Sequence, residues 1–177
     1  MALTDHRLVL GGARSGKTRH AMALAEATGP RRLYIATAEA HDAEMAERIA
    51  RHKAERGAGW QSVEAPLDIV SSFASFGTDA ILVDCLTLWL SNLMHSGRNP
   101  EIETGRFIEG LRDVRSPIIL VSNEVGLGLV PETPLGRAFR DEQGRLNQRI
   151  AAAVGSVDFI AAGLPVALKR PEPSSGR

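Results

Sequence analysis

The chain is poor in sulfur, in lysine and in net charge, and each shortage excludes something. Cys85 is the only cysteine among 177 residues, set inside the apolar run "AILVDCLTLWL". No intramolecular disulfide or cysteine-based zinc site can form, and one thiol fits a reducing compartment. The 21 basic and 21 acidic residues cancel, which removes any general electrostatic case for nucleic acid or anionic lipid. No apolar run approaches the roughly 18 residues of a membrane span. The opening "MALTDHRLVL" also lacks the basic segment and apolar core of a secretory leader. The expectation is a soluble, cytoplasmic protein with no nucleic-acid partner and no membrane insertion. A chain of this length can bury a core as one domain without staples. We expect that domain to span residues 1–170, followed by a disordered tail at 171–177.

Lysine occurs only at Lys17, Lys53 and Lys169, against eighteen arginines. One of the three falls in "LVLGGARSGKTRHAMALAE", where a short apolar run breaks into glycines and an Ala-rich helical pattern follows. With lysine so rare, a chance match to Gly-x-x-x-x-Gly-Lys-[Ser/Thr] is expected at roughly 0.3% over the chain. In this loop Gly11, Gly12 and Gly16 let backbone amides converge on phosphate, and the following helix aims its positive end there. Lys17 can reach the outer phosphates and Thr18 can ligate Mg²⁺.

The remaining pattern alternates buried strands with helices. Strands are expected at 8–10, 31–38, 60–65, 79–86, 117–126 and 157–163, with a short edge strand at 165–169. Helices are expected at 17–27, 42–56 and 66–76, from about 86 through Asn92, at 102–114 and at 137–154. "SGRNPE" reads as the clearest turn. Such continuous apolar strands imply a mostly parallel sheet covered on both faces, a single α/β unit.

Several other residues could carry chemistry. Asp84 ends the strand "AILVD", where a carboxylate can hold Mg²⁺ as partner to the loop threonine, or cap the next helix. His52 lies near the end of the amphipathic 42–56 helix. It reads either as a solvated side chain favoured by the helix dipole or as a nucleophile able to form a phosphoramidate. Asn123 and Glu124 end another strand, on the side where parallel sheets bind ligands, and could equally serve loop hydrogen bonding. Arg137, Arg140, Arg145 and Arg149 share one helix, either as solvated charges or as phosphate clamps. Trp60 and Trp89 read as core rather than as nucleobase platforms.

The ordered strings "LGGARSGKTRHA", "YIATA", "DAEMAERIARHKAERGAGWQSVEAP", "VDCLTLWLSNLM", "VSNEVGLGLVP" and "FRDEQGRLNQRIA" resemble one enzyme family from Leu8 to Lys169. It is the bifunctional adenosylcobinamide kinase/adenosylcobinamide-phosphate guanylyltransferase family of cobalamin biosynthesis. The resemblance implies a RecA-like P-loop NTPase fold and a homo-oligomer, a trimer. It implies phosphorylation of adenosylcobinamide by ATP or GTP, then GMP transfer from GTP to that phosphate, with Mg²⁺ as cofactor. The family's Glu-Met-x-x-Arg-Ile-x-x-His pattern falls on residues 44–52, which makes His52 the GMP carrier, with Lys17 the second catalytic residue. Nucleotide contacts would fall on Gly11, Gly12, Ala13, Arg14, Ser15, Gly16, Lys17 and Thr18, then on Ala36, Thr37 and Ala38. They would continue on Lys53, Ala54, Glu55, Arg56, Glu64 and Asp84, with metal at Thr18 and Asp84. Two positions depart: Arg51 stands where some members carry a second histidine, and Asp84 is glutamate in some.

Three other readings share the phosphate loop. A small-metabolite kinase would have no use for His52. A GTP switch normally reads guanine with Asn-Lys-x-Asp, whereas this chain has Asn123-Glu124-Val125-Gly126. A DNA-dependent motor lacks the basic stripe it would need.

Overall fold

The sheet order follows from which apolar runs can be covered on both sides. The computed structural model describes residues 3–39, 57–75 and 77–171, together with Glu47. The expected 42–56 helix, apart from Glu47, and the tail from 172 onward lie outside the described residues. The strands are β1 (Leu3–Gly11), β2 (Arg32–Ala36), β3 (Trp60–Glu64), β4 (Ala80–Asp84), β5 (Ile118–Asn123), β6 (Val154–Ala161) and β7 (Leu164–Lys169). They form one sheet in the order β3-β2-β4-β5-β1-β6-β7. Every pairing is parallel except β6 with β7. The expected mostly parallel α/β sheet is therefore present, with β7 as its edge strand.

Strand parity splits the core in two. Leu8, Leu10, Leu33, Ile35, Ile81, Val83, Ile118 and Leu120 face one cluster. That cluster is covered by α2 (Leu86–His95), α3 (Pro100–Arg112) and α4 (Pro134–Ala153), which supply Trp89, Phe107 and Leu146. The intervening residues Val9, Tyr34, Leu82, Ile119 and Val121 face the other side, against Ala21 and Ala25 of α1 (Lys17–Glu26). Small alanines let α1 lie close to the sheet, so the phosphate loop that precedes it is held near the strand tips.

Several boundaries differ from the sequence reading. The first strand begins at Leu3 rather than at residue 8 and carries a register shift between Leu3 and Arg7 on its β6 side. The helix expected at 66–76 is only a 3₁₀ turn, Val70–Ser75. There Asp68 accepts from the Ser71 amide and hydroxyl, local bonds that compete with α-helical pairing. The third helix starts at Pro100, because the Asn99 side chain accepts from the Glu101 and Ile102 amides. The fourth starts at Pro134 under a Thr133 cap, not at Arg137. In both cases a proline in the first turn, which reads as a breaker, instead opens the helix.

Candidate nucleotide-binding site

All parallel strands end on one edge, and the local chemistry gathers there. The phosphate loop leaves β1 at Gly11. Arg14 takes φ 57° and Gly16 φ 93°, left-handed positions that turn neighbouring amides toward a common point. Gly16 caps α1 without any side-chain hydrogen bond, and no acidic residue lies in the first turn. By contrast, α3 and α4 are capped by Asn99 and Thr133. The first amides of α1 are thus left for an anion.

The cradle is tightly supported from behind. A Cβ at Gly11 would stand 2.6 Å from Ser15 Oγ and 2.7 Å from the Ile160 carbonyl oxygen, so glycine is required there. The Gly163 amide, in the β6–β7 turn, donates to the Ser15 carbonyl at 2.9 Å, and the Glu124 amide donates to the Gly11 carbonyl at 3.2 Å. Lys17 Nζ donates to the Gly12 carbonyl at 3.0 Å, its ammonium folded over the loop. Ser15 Oγ is buried without a hydrogen-bond partner, an orphan that a phosphate oxygen would satisfy.

Asp84 stands at the tip of β4, two strand spacings or about 10 Å from β1 across the edge. Its parity with Leu82 puts it on the α1 side of the sheet. Tyr34 donates to Asp84 Oδ2 at 2.6 Å and so fixes the carboxylate. Capping is not its role: α2 is capped by Cys85, with no side-chain bond. Burial, with the charge of Asp84, pushes the Cys85 thiol up to about 11, while the Lys17 ammonium opposes the rise.

A hydroxyl from Thr18 and a carboxylate from Asp84 are hard oxygen donors of the kind Mg²⁺ takes. Among the described residues no three His, Cys, Asp or Glu side chains converge as a metal cage. The residues present fit nucleotide and metal.

The β2 tip contributes differently. Ala36 and Thr37 are buried, and the Thr37 hydroxyl donates to the Cys85 carbonyl while accepting from the Cys85 amide, both at 2.8 Å. That hydroxyl joins the β2 tip to the β4 tip, and Asn92 Nδ2 holds the Thr37 carbonyl at 2.8 Å. Ala38 opens onto a cavity of about 510 Å³ beside Leu88, Ser91, Asn92 and His95. Glu64 ends β3 in register with Ala36, four strand spacings or about 19 Å from β1. His52, Lys53, Ala54, Glu55 and Arg56 lie outside the described residues.

The other candidates make contacts within the chain. Arg137 and Arg140 tie down the loop after β5 through the Pro131, Glu132 and Gly126 carbonyls. Arg145 pairs with Glu142, and Arg149 donates to the Glu101 carbonyl. Glu124 accepts from the Gly126 amide. Trp89 is core, its Nε1 on the Leu67 carbonyl at 2.9 Å. Trp60 opens β3 at the opposite edge, under Arg32 and edge-on to Tyr34. Tyr34, Asn92 and Gly163 had not been singled out from sequence. Tyr34 alone left a signal, as the only tyrosine, in a strand ending at the site.

Fold and site together define an α/β P-loop nucleotide-binding enzyme. Two solved structures share the fold. One is a KaiC-like protein from Pyrococcus horikoshii, with TM-score 0.58 at 14% identity, covering 97% of this chain and 82% of that one. The other is an ATPase from a type III secretion system, with TM-score 0.54 at 8% identity, covering 93% and 57%. Residues 7–168 match the family described as cobinamide kinase / cobinamide phosphate guanyltransferase, and the chain belongs to that family. It is 47% identical to the bifunctional adenosylcobalamin biosynthesis protein CobP of Pseudomonas aeruginosa, over 92% of this chain and 96% of that protein. It is 42% identical to the bifunctional adenosylcobalamin biosynthesis protein CobU of Salmonella typhimurium, over 92% and 98%.

Proposed function

We propose that this enzyme phosphorylates adenosylcobinamide with ATP or GTP and then transfers GMP from GTP to that phosphate, giving adenosylcobinamide-GDP. The observation that carries the reading is the phosphate cradle with Lys17 and Asp84 on one sheet edge, in a chain that matches the family from residue 7 to 168.

In the kinase step the alcohol oxygen forms a bond to the γ-phosphorus, and the bond to the bridging oxygen breaks. The protein's part is alignment and charge neutralisation by Lys17 and the loop amides. In the second step a neutral His52 nitrogen attacks the α-phosphorus and pyrophosphate leaves. The acceptor phosphate then displaces histidine from the resulting phosphoramidate. Lys17 and the amides from Gly11 to Thr18 stabilise charge on the departing pyrophosphate. Thr18 and Asp84 would hold magnesium, which would neutralise further charge on the phosphates when bound. Ala36, Thr37, Ala38, Lys53, Ala54, Glu55, Arg56 and Glu64 complete the nucleotide contacts in this reading.

We further read residues 1–170 as one working unit that assembles with copies of itself, as a trimer, in the cytoplasm. The exposed apolar side chains Leu164, Val166 and Leu168 on β7, with Leu127, Leu129 and Val130 after β5, support assembly. The buried free thiol of Cys85 suits a reducing compartment. No helix among the described residues is long and apolar enough to cross a membrane.

The deciding experiment is intact-protein mass after incubation with GTP and Mg²⁺. Wild type gains an acid-labile GMP adduct, and His52→Ala gains none while keeping kinase activity. Lys17→Ala loses about 10²–10³-fold in both reactions, the scale of removing a transition-state charge partner. An active wild-type enzyme that never carries GMP, even with pyrophosphate removed, refutes the histidine route and leaves the kinase.

A further inference from the structure

Tyr34 is the only tyrosine in the chain, and its hydroxyl is directed at Asp84. On β2 it lies opposite Leu82 of β4, two residues before Asp84 in register. Its side chain joins Leu82 in the cluster on the α1 side of the sheet, the face that Asp84 shares. The ring is buried. Trp60 of β3 stands edge-on to it, with centroids 5.9 Å apart and planes at 75°. Trp60 is itself tied to α1, its Nε1 donating to Glu26 Oε1 at 3.3 Å.

A phenol walled in this way cannot swing aside, so its one O–H proton points to a fixed place. It goes to Asp84 Oδ2 at 2.6 Å, the length of a charge-assisted bond to a carboxylate. Among the described residues no other hydrogen bond reaches the Asp84 carboxylate. Its two oxygens are therefore unequal: Oδ2 shares its charge with the phenol, while Oδ1 keeps its full capacity as an acceptor or ligand. Hard divalent cations differ in how they use such a group. Mg²⁺ is small and holds to near-ideal octahedral geometry, which leaves little room for a carboxylate to bind through both oxygens. Ca²⁺ is larger, its coordination is flexible, and it takes both oxygens readily.

We propose that Tyr34 is a positioning residue for metal choice: by engaging Oδ2 it presents Asp84 as a one-oxygen ligand, and the nucleotide site thereby prefers Mg²⁺ to Ca²⁺. The proposal rests on the reading of Thr18 and Asp84 as the residues that would hold the metal. Tyr34 acts only through Asp84. Without the hydroxyl, the carboxylate can turn and offer both oxygens, which costs Mg²⁺ its aligned ligand and gives Ca²⁺ a second one.

Tyr34→Phe removes the hydroxyl and keeps the packed ring. Its affinity for α,β-methylene-GTP is measured by calorimetry, with excess Mg²⁺ or excess Ca²⁺ and no cobinamide. His52 cannot cleave the α–β bridge of this analogue. The readout is the ratio of the two affinities, so a general loosening of the fold cancels. Wild type favours Mg²⁺, and in Tyr34→Phe the Mg²⁺-to-Ca²⁺ ratio falls about tenfold, the lower end of what losing a ligand's hydrogen-bond partner costs in metal affinity. The same change is then made in an Asp84→Asn background. An amide has one oxygen and cannot offer two, so there the ratio holds.

An unchanged ratio in Tyr34→Phe overturns the proposal, whether affinity holds with both ions or falls equally, as it would for a tyrosine that only supports the fold. A shift that persists in the Asp84→Asn background also overturns it, because the effect then bypasses the carboxylate. A wild type that binds the analogue equally well with Mg²⁺, with Ca²⁺ or with a chelator overturns the proposal through its metal reading and leaves the phosphate loop's nucleotide site standing. A protein that phosphorylates no cobinamide overturns the proposed activity instead. The ratio needs no acceptor, and in that case it alone judges Tyr34.

Discussion

The phosphate-loop strand β1 runs between two buried polar clusters of opposite character. On the β5 side, Ser122, Gln143 and Asn147 form a neutral network, all three almost fully buried. On the β6 side, Asp158 is only 1% exposed and faces Arg7 at 2.8 Å, Arg170 at 2.7 Å and His20 at 3.3 Å. Burial alone would raise the Asp158 carboxyl, but Arg170, Arg7 and His20 outweigh it and hold the group below the usual carboxylate range. The charged cluster would be expected to be the stronger. Yet its cations are part-exposed, with side chains 29%, 48% and 23% accessible for Arg7, Arg170 and His20, and water can take over any that lose their partner. The amides and hydroxyl of the neutral cluster have no such recourse. Access to water, rather than formal charge, decides which cluster is more costly to disturb.

The largest expected effect therefore comes from Asn147→Ala. It removes the donor to the Asn123 carbonyl and the acceptor for Ser122 and Gln143. About 3 kcal/mol of stability should be lost, from roughly 1–3 kcal/mol for each stranded group less what the Ser122 hydroxyl recovers by turning to the unpartnered Gln143 Oε1. Urea unfolding monitored by circular dichroism measures it, and a loss below that of Asp158→Asn would reverse the comparison.

Asp158→Asn should cost less, about 1–2 kcal/mol. A fully buried pair broken on one side loses ~3–5 kcal/mol, and the exposure of these cations discounts that figure. The same urea titration reads it.

The smallest effect separates the clusters by pH. Because the Asp158 carboxyl titrates below its unfolded value, its contribution is complete above about pH 4 and is lost as pH falls through the folded value. The stability gap between wild type and Asp158→Asn should narrow below about pH 4, while the gap to Asn147→Ala stays constant. A constant gap for both would remove the electrostatic account of the β6 cluster.

The phosphate loop was legible because its chemistry is contiguous, from Gly11 to Thr18 within one turn and the start of one helix. Asp84 was legible as an acid closing an apolar strand. The Thr37 hydroxyl was not, since its two partners belong to Cys85, 48 residues away, and no local pattern declares that pairing. The same holds for the Gly163 amide that props the loop at Ser15. Asp158 sat in plain view within "VDFIAAG", but an acid in an apolar strand names no partner. The helix expected at 66–76 is absent for a local reason, the Asp68–Ser71 turn, which an apolar periodicity does not register.

By itself the sequence determined the alternation of strands and helices, the phosphate loop, the balance of charge and the resemblance that names the family. Each depends on residues near one another along the chain, where propensity and period act directly. Only the tertiary structure decided that β5 separates β1 from β4, that β7 turns back antiparallel, and that two polar clusters bracket the loop strand. Periodicity fixes which face of a strand is buried and says nothing about which strand lies beside it. Asn123 shows the consequence: its residue type was visible from the start, while its unpaired oxygen beside the phosphate loop exists only once the strands are in order.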